Sequence, residues 1–245
     1  LTTSRATRLA ALESEVHVWL ARPDAARCAD CIALLDAGER ARYRRFRFPD
    51  DRYLFLVAHA LLRRALSRYV DVEPSAWRFG RRAHGRPEIV APYLPVRLRF
   101  NLSHTAGLAA CVVTLENDCG IDVEGVAERR NMPGIADRMF AGPEQRDLRA
   151  RAGEADYTER FITYWTLREA WCKALGTGLA HTDRRVWFEP LGGSDVRIHG
   201  THGPGEGAGR WQCVMLQPTA THRLAVVTAR TSAADMPVVC RFIEP

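Results

Sequence analysis

The sequence predicts an α+β protein built from two similar halves, and three observations carry that expectation. Helical stretches, with apolar residues three and four apart, alternate with short runs of strand character. Leu62–Arg63–Arg64–Ala65, inside one such helix, returns 105 positions later as Leu167–Arg168–Glu169–Ala170 inside another. The strand LAACVVT (Leu108–Thr114), after Ser103–His104, is echoed by LAVVT (Leu224–Thr228), after Thr221–His222, at an offset of 116 that requires a loop insertion. Such a duplication divides the chain into 1–117 and 118–245, with the tail free to pack back on the first half. It makes a pseudo-twofold arrangement with the site in the cleft between halves, where only the second helix carries a carboxylate: Arg64 takes the place of Glu169.

Taken in order, Glu15–Leu20 (EVHVWL) alternates as a first strand, closed by Arg22–Pro23–Asp24. Ala26–Phe46 reads as mostly helical with a basic end at Arg40, Arg42, Arg44 and Arg45. Pro49–Asp50 starts a second helix reaching Tyr69, with Leu54, Val57, Leu61, Ala65 and Leu66 as its buried stripe. Trp77–Phe79 is a short strand and Arg81–Pro87 a basic turn. Arg97–Leu102 and Leu108–Leu115 are strands separated by Ser103–Gly107, and Cys119–Glu124 is another strand. Asn131–Gly142 is mixed, and Pro143–Ala152 is a short helix. After the helix of Trp165–Leu179 come strands near Val186–Phe188, Val196–His199, Trp211–Leu216 and Arg223–Thr228. Gly200–Gly209 is a Gly-rich hairpin loop, and Pro237–Phe242 a last strand.

Composition narrows the function. With 47% hydrophobic and 26% charged residues in 245, the chain has the balance of a soluble globular protein with ample length for a core. It has no apolar run of membrane-spanning length and no apolar stretch of signal-peptide type at its start, so the expected setting is cytoplasmic, with no membrane partner. The seven cysteines are scattered and odd in number, which suits reduced thiols; Cys28 and Cys31 lack the second ligand pair a structural zinc needs. A net charge of +6 favours anionic partners. No basic helix interleaved with aromatics stands out, so nucleic acid is not the expected partner.

The stretch WTLREAWCKALGTGL (Trp165–Leu179) is the most informative. Tyr164, Leu167, Trp171 and Ala174 make its apolar stripe, and Glu169 and Lys173, four apart, share the opposite face. The plain alternative is a solvated Glu–Lys pair. Against it stands one count: of 35 Lys and Arg residues, Lys173 is the single lysine. A compact ammonium differs from a guanidinium in what it can contact. Asp122 and Glu124, two apart on a strand, project from one face and repel unless a cation lies between them. With Glu169 they make an oxygen-only set suited to Mg²⁺, with Mn²⁺ as an alternative. Ser103 and His104, in a turn between strands, suit phosphate contacts, and Arg86 lies in the Gly85–Arg86–Pro87 turn.

FNLSH (Phe100–His104), GIDVE (Gly120–Glu124) and WTLREAWCKALGTGL resemble, in order and spacing, the three signature motifs of the Sfp-type 4′-phosphopantetheinyl transferases. The resemblance runs from about Glu39 to Leu179, including RRFRFPDDRY (Arg44–Tyr53). It implies a monomer of two similar α+β halves that holds coenzyme A and Mg²⁺ in the cleft. It also implies a reaction: a carrier-protein serine attacks the β-phosphate of CoA, the phosphopantetheine arm is transferred, and adenosine 3′,5′-bisphosphate leaves. Carried over by position, Asp122, Glu124 and Glu169 resemble the metal ligands, with Glu169 also the general base. Lys173 resembles the lysine on the CoA phosphates, and His104 and Arg86 resemble binders of the nucleotide phosphates. Arg42 and Arg52 are candidates for the 3′-phosphate, although some family basic positions in that region are acidic here. The family's usual Lys before the helix Glu is Arg168. The competing readings are a CoA- or nucleotide-binding module without catalysis, and a basic nucleic-acid-binding protein. Acyl or peptidyl carriers of fatty-acid, polyketide and nonribosomal-peptide synthesis all fit as partners.

Overall fold

The computed structural model describes residues 4–23, 30–81, 86–179, 182–200 and 207–244. It divides into two compact units, Leu1–Cys119 with Met236–Pro245, and Gly120–Asp235.

The first unit begins with α1 (Arg5–Ala11), capped by Ser4, whose side chain accepts from the Thr7 amide. Strand β1 (Val16–Ala21) is buried along its whole length. The mostly helical stretch expected over 26–46 holds two helices, α2 (Cys31–Leu34) and α3 (Ala37–Arg45), and residues 26–29 lie outside the described residues. The break has a local cause. Asp36 is extended and caps α3 in a reciprocal box with Glu39, which ends the preceding helix. Helix α4 (Pro49–Leu66) starts with Pro at its first turn and with Asp50 and Asp51 at the positive end of its dipole. Phe55, Val57, Leu61, Ala65 and Leu66 are buried, whereas Leu54, expected in the stripe, is half-buried. Strands β2 (Arg78–Arg81) and β3 (Pro87–Ala91) pair as a hairpin.

Strands β4 (Leu98–Thr105) and β5 (Leu108–Leu115) correct one expectation: Ser103 and His104 are not in a turn but on β4, paired with Ala110 and Ala109. Gly107, at φ 82°, lets a two-residue connection close the hairpin, so no longer loop is needed. The tail strand β11 (Val238–Phe242) runs parallel to β1, giving a sheet of order β11-β1-β5-β4 with α4 packed on it.

The second unit repeats the order of strand, short helices, long helix and four strands. It comprises β6 (Cys119–Gly125), α5 (Met132–Met139), α6 (Gly142–Ala150), α7 (Tyr157–Leu175), β7 (Trp187–Gly192), β8 (Asp195–His199), β9 (Trp211–Thr219) and β10 (His222–Ala229). Its sheet order is β6-β10-β9-β8-β7. Helix α7 starts eight residues earlier than the central stretch suggests, because Phe161, Ile162 and Tyr164 pack on Met132, Ala136, Phe140 and Leu148 of the α5–α6 segment. Its second half packs Leu167, Ala170, Trp171 and Ala174 on Phe188, Trp211, Cys213, Met215, Ala225 and Val227 of the sheet. Each fully buried large apolar side chain contributes about 1.5–3 kcal/mol. The helix ends at Gly176 in the left-handed region, φ 70°, with the Thr177 amide returning to Cys172 O. In the expected loop of 200–209, residues 201–206 lie outside the described residues.

Among the described residues, Cys31, Cys111, Cys119, Cys172 and Cys213 are buried free thiols and Cys240 an exposed one; Cys28 lies outside them. No helix among them is long and apolar enough to cross a membrane.

Candidate active site

The second unit assembles four of the sequence-derived residues. Asp122 and Glu124 share one face of β6, while Ile121 and Val123 are buried on the other. Gly120 explains why α7 comes so close. A Cβ there would stand 2.1 Å from Ala170 O and 2.4 Å from Ala174 N, so only glycine lets the helix backbone rest on the strand. Glu169 and Lys173 are thereby brought to the acidic face. Lys173 Nζ donates to Asp122 Oδ1 at 2.7 Å, and that carboxylate is 5% exposed.

Glu124 is held from another direction. It accepts from Trp165 Nε1 at 3.0 Å and pairs with Arg129 Nη2 at 2.6 Å, and the Arg129 guanidinium lies 5.4 Å from the Trp165 ring centroid. Burial pushes the Glu124 carboxyl up, as does Asp122, against the pull of Arg129 and Trp165. Glu169 shows the cost of the grouping most clearly. Burial lifts its pKa to about 7, Lys173 works against that, and Asp122 and Glu124 add to it. Among the described residues nothing hydrogen-bonds the Glu169 carboxylate. The three carboxylates thus feel one another, but among the described residues no three Asp, Glu, His or Cys side chains converge into a ready metal cage. Their chemistry nonetheless fits a hard divalent cation: three half-buried or buried carboxyl groups outnumber the one ammonium and one guanidinium beside them, and all of their donors are oxygen.

Sequence reading missed Trp165 and Arg129. Trp165 stands at the start of the stretch that defined the helix, four residues before Glu169, and that spacing was the available signal. Arg129 comes from an irregular segment and carried none. Arg168, left without a role, is fully buried, and its guanidinium pairs with Glu144 at 2.6 Å. It is part of the scaffold, not a cation facing solvent.

The other site candidates lie in the first unit. Ser103 is buried and His104 exposed at the end of β4. Arg86 Nη2 lies 3.3 Å from Asp118 Oδ1 and donates weakly to Cys119 O at 3.4 Å. Asp118 is shared with Arg99 at 2.5 Å, and Arg99 also pairs with Glu88. Burial and the neighbouring Arg99 push the Arg86 pKa down. Arg42 is exposed with its guanidinium 5.2 Å from the Phe55 ring. Arg52 donates to Phe46 O at 2.9 Å and stacks 5.6 Å from Tyr43. Both therefore have local packing roles, and the structure gives neither an acidic partner among the described residues.

Residues 118–227 match the model of the 4′-phosphopantetheinyl transferase superfamily, and residues 19–115 match that of the 4′-phosphopantetheinyl transferase N-terminal region. Similar proteins include the 4′-phosphopantetheinyl transferase HetI of Nostoc sp., 35% identical over 70% of this chain and 73% of its own. A 4′-phosphopantetheinyl transferase of Bacillus subtilis is 32% identical over 66% of this chain and 70% of its own. The 4′-phosphopantetheinyl transferase Sfp of Bacillus subtilis strain 168 is 29% identical over 69% and 68%.

Proposed function

Because this chain belongs to the 4′-phosphopantetheinyl transferase superfamily, we propose that it transfers the 4′-phosphopantetheine arm of coenzyme A to a serine of an apo acyl or peptidyl carrier protein. The observation that carries the residue roles is the face where Asp122, Glu124, Glu169 and Lys173 meet. The serine Oγ attacks the β-phosphorus of CoA. A new P–O bond forms, the bridging P–O bond of the pyrophosphate breaks, and adenosine 3′,5′-bisphosphate leaves with the bonding electrons.

Glu169 takes the proton from the serine Oγ. Its place beside Asp122 and Glu124, on the helix face it shares with Lys173, supports that role, since a carboxylate there can reach the serine Oγ directly or through water. Lys173, whose Nζ donates to Asp122 at 2.7 Å, supplies the positive charge that meets the leaving phosphate. Trp165 and Arg129 orient Glu124, so the second strand carboxylate is held independently of the first. Asp122, Glu124 and Glu169 would hold Mg²⁺, or Mn²⁺, which when bound neutralises charge on the pyrophosphate oxygens. In the first unit, Arg86, Ser103 and His104 are the proposed nucleotide contacts, with Arg42 and Arg52 as candidates for the 3′-phosphate. The same reading makes the enzyme a cytoplasmic monomer that serves fatty-acid, polyketide or nonribosomal-peptide carriers.

The experiment is direct. The protein is mixed with CoA, Mg²⁺ and a panel of apo-carrier proteins, and the carriers are weighed by mass spectrometry. The expected result is a gain of one phosphopantetheine on at least one carrier, abolished by a chelator. CoA binding with no transfer to any carrier would overturn the reading in favour of a binding module.

A further inference from the structure

Arg168 stands next to Glu169, yet its side chain is 0% exposed and turns away from the acidic face. Its Nη2 donates to Glu144 Oε2 at 2.6 Å, and its Nη1 donates to Val186 O at 2.8 Å and to Asp183 O at 3.2 Å. The guanidinium lies 5.1 Å from the Phe188 ring centroid. Glu144, also 0% exposed, accepts from the Ala141 amide at 2.7 Å and from the Phe188 amide at 3.0 Å. One ion pair therefore ties the start of α6, the middle of α7, the 183–186 loop and the first turn of β7.

The same construction stands 105 residues earlier in the first unit. Arg63, 0% exposed, pairs with Glu39 and donates to Trp77 O at 2.8 Å and to Pro74 O at 3.1 Å. Its guanidinium lies 5.1 Å from Phe79. Glu39 accepts from the amide of Asp36, the residue three before it, as Glu144 does from Ala141. The repeat matters because Arg63 has no carboxylate beside it: its neighbour is Arg64. A pair built the same way where the adjacent position carries no candidate base holds a helix in place. It does not bind phosphate.

We infer that Arg168 and Glu144 form a buried clasp that fixes the rotation and height of α7 and so presents Glu169 and Lys173 to β6. Arg168 is a positioning residue of the transfer reaction, not a ligand of coenzyme A. The inference rests on the roles given to Glu169 and Lys173 above. The reason is geometric. Successive helix residues point about 100° apart, so a small roll of α7 swings Glu169 away from Asp122 and Glu124. The clasp resists that roll from the adjacent residue. An apolar side chain at 168 would fill the space without tying down the helix, and it would leave Glu144 as a buried charge without its cation.

The test uses the full chain with CoA and an apo-carrier protein that it modifies, and compares Arg168→Met with Arg63→Met. Both should lower the melting temperature. Arg168→Met should lower kcat about 10–10²-fold, the scale of a misplaced reacting group, with KM for CoA within about threefold of wild type. Arg63→Met should keep kcat within about threefold where it is folded. Arg168→Lys, which keeps the ion pair, should recover most of kcat, and Glu144→Gln combined with Arg168→Met should be no slower than the worse single variant. Equal kcat losses for Arg168→Met and Arg63→Met, at a temperature where both are folded, would overturn the inference. So would a raised KM for CoA with kcat intact, which would make Arg168 a cofactor ligand. If Arg168→Met does not fold, Glu144→Gln is read by the same kcat-against-KM criterion, with Glu39→Gln as its counterpart. Wild-type transfer by Glu169→Gln would instead remove the premise, a result that no clasp variant can mimic.

Discussion

The two units use one scaffold for two different faces. Counted 105 residues apart, Arg63 and Glu39 correspond to Arg168 and Glu144, and Phe55–Leu66 of α4 to Arg160–Trp171 of α7. On the same count, Asp122 and Glu124 of β6 correspond to His17 and Trp19 of β1, and Glu169, Lys173 and Ala174 to Arg64, Arg68 and Tyr69. In the first unit that face is filled. Tyr69 Oη lies 2.8 Å from His17 Nδ1 and accepts from Trp19 Nε1 at 2.7 Å, and the Arg68 guanidinium lies 4.9 Å from the Trp19 ring. In the second unit Ala174 brings no ring, Lys173 pairs with Asp122 at 2.7 Å, and Glu169 feels the charges of Lys173, Asp122 and Glu124. The buried frame is repeated, while the residues that carry chemistry differ at almost every position. A fold tolerates such divergence because a clasp and a packed stripe are needed for stability in both units, whereas carboxylates that repel one another are worth their cost only where a ligand uses them.

The largest expected effect contrasts Glu169 with its counterpart. Glu169→Gln should lower the single-turnover rate of phosphopantetheine transfer about 10²–10⁴-fold, the usual range for a lost general base, while Arg64→Gln leaves it at wild type. A fast Glu169→Gln enzyme would show that the acidic face is not where the serine loses its proton.

Lys173→Arg comes next. Its counterpart Arg68 lies against Trp19, so a guanidinium suits that packed position. Lys173 instead donates to Asp122 at 2.7 Å beside other acidic side chains, where a wide two-pronged cation fits poorly. Turnover should drop about 10–10³-fold with folding intact, as judged by circular dichroism. Turnover near wild type would reduce the singular lysine to an accident of composition.

Gly120→Ala tests the close approach of α7 to β6. Its Cβ would meet backbone atoms, so the helix must move. The loss expected for overpacking is about 1–3 kcal/mol, read as a fall in melting temperature of roughly 2–12 °C, with kcat reduced in the folded fraction. An unchanged melting temperature would mean that the strand and helix are not held at this separation.

The smallest effect separates the two clasps by pH. Burial works to raise the Glu39 carboxyl, but the hydrogen bond and charge of His59, the Asp36 amide and Arg63 outweigh it and hold the pKa at about 2. The folded value is below the ordinary one of 4.5, so this contribution is present above pH 4.5 and lost as pH falls towards 2. Burial pushes Glu144 the other way, above its ordinary range, with Arg168 and two amides pulling back. Acidification from its raised value through 4.5 therefore favours the folded state at that position. Denaturant unfolding followed from neutral pH down to pH 2 should show Glu39→Gln with a flatter loss below pH 4.5 than wild type, and Glu144→Gln without the gain on acidification towards pH 4.5 that Glu144 gives wild type. Identical slopes would show that the two carboxylates titrate alike.

Much of the candidate site was legible in the sequence because local periodicity controls it. Two carboxylates two apart on a strand must share a face, and Glu169 and Lys173 four apart on a helix must share another, whatever the rest of the chain does. The break at Asp36 was equally local but easier to miss, since it depends on a side chain returning to its own backbone. Ser103 and His104 were placed in a turn because small polar residues resemble loop composition; pairing with Ala110 and Ala109 extended the strand through them.

By itself, then, the sequence determined the two-part α+β plan through its internal echoes, and the nature of the long helices and the acidic and ammonium residues of the candidate site through spacing within each element. Only the tertiary structure decided which residues hold those groups. Gly120 acts through the Ala170 carbonyl, Arg168 through Glu144, and Glu124 through Arg129 and Trp165. The first two links span 50 and 24 residues. No helix or strand period fixes a contact at that range: whether a buried arginine faces a carboxylate or a phosphate depends on which segment packs against it, and packing is a property of the folded chain as a whole.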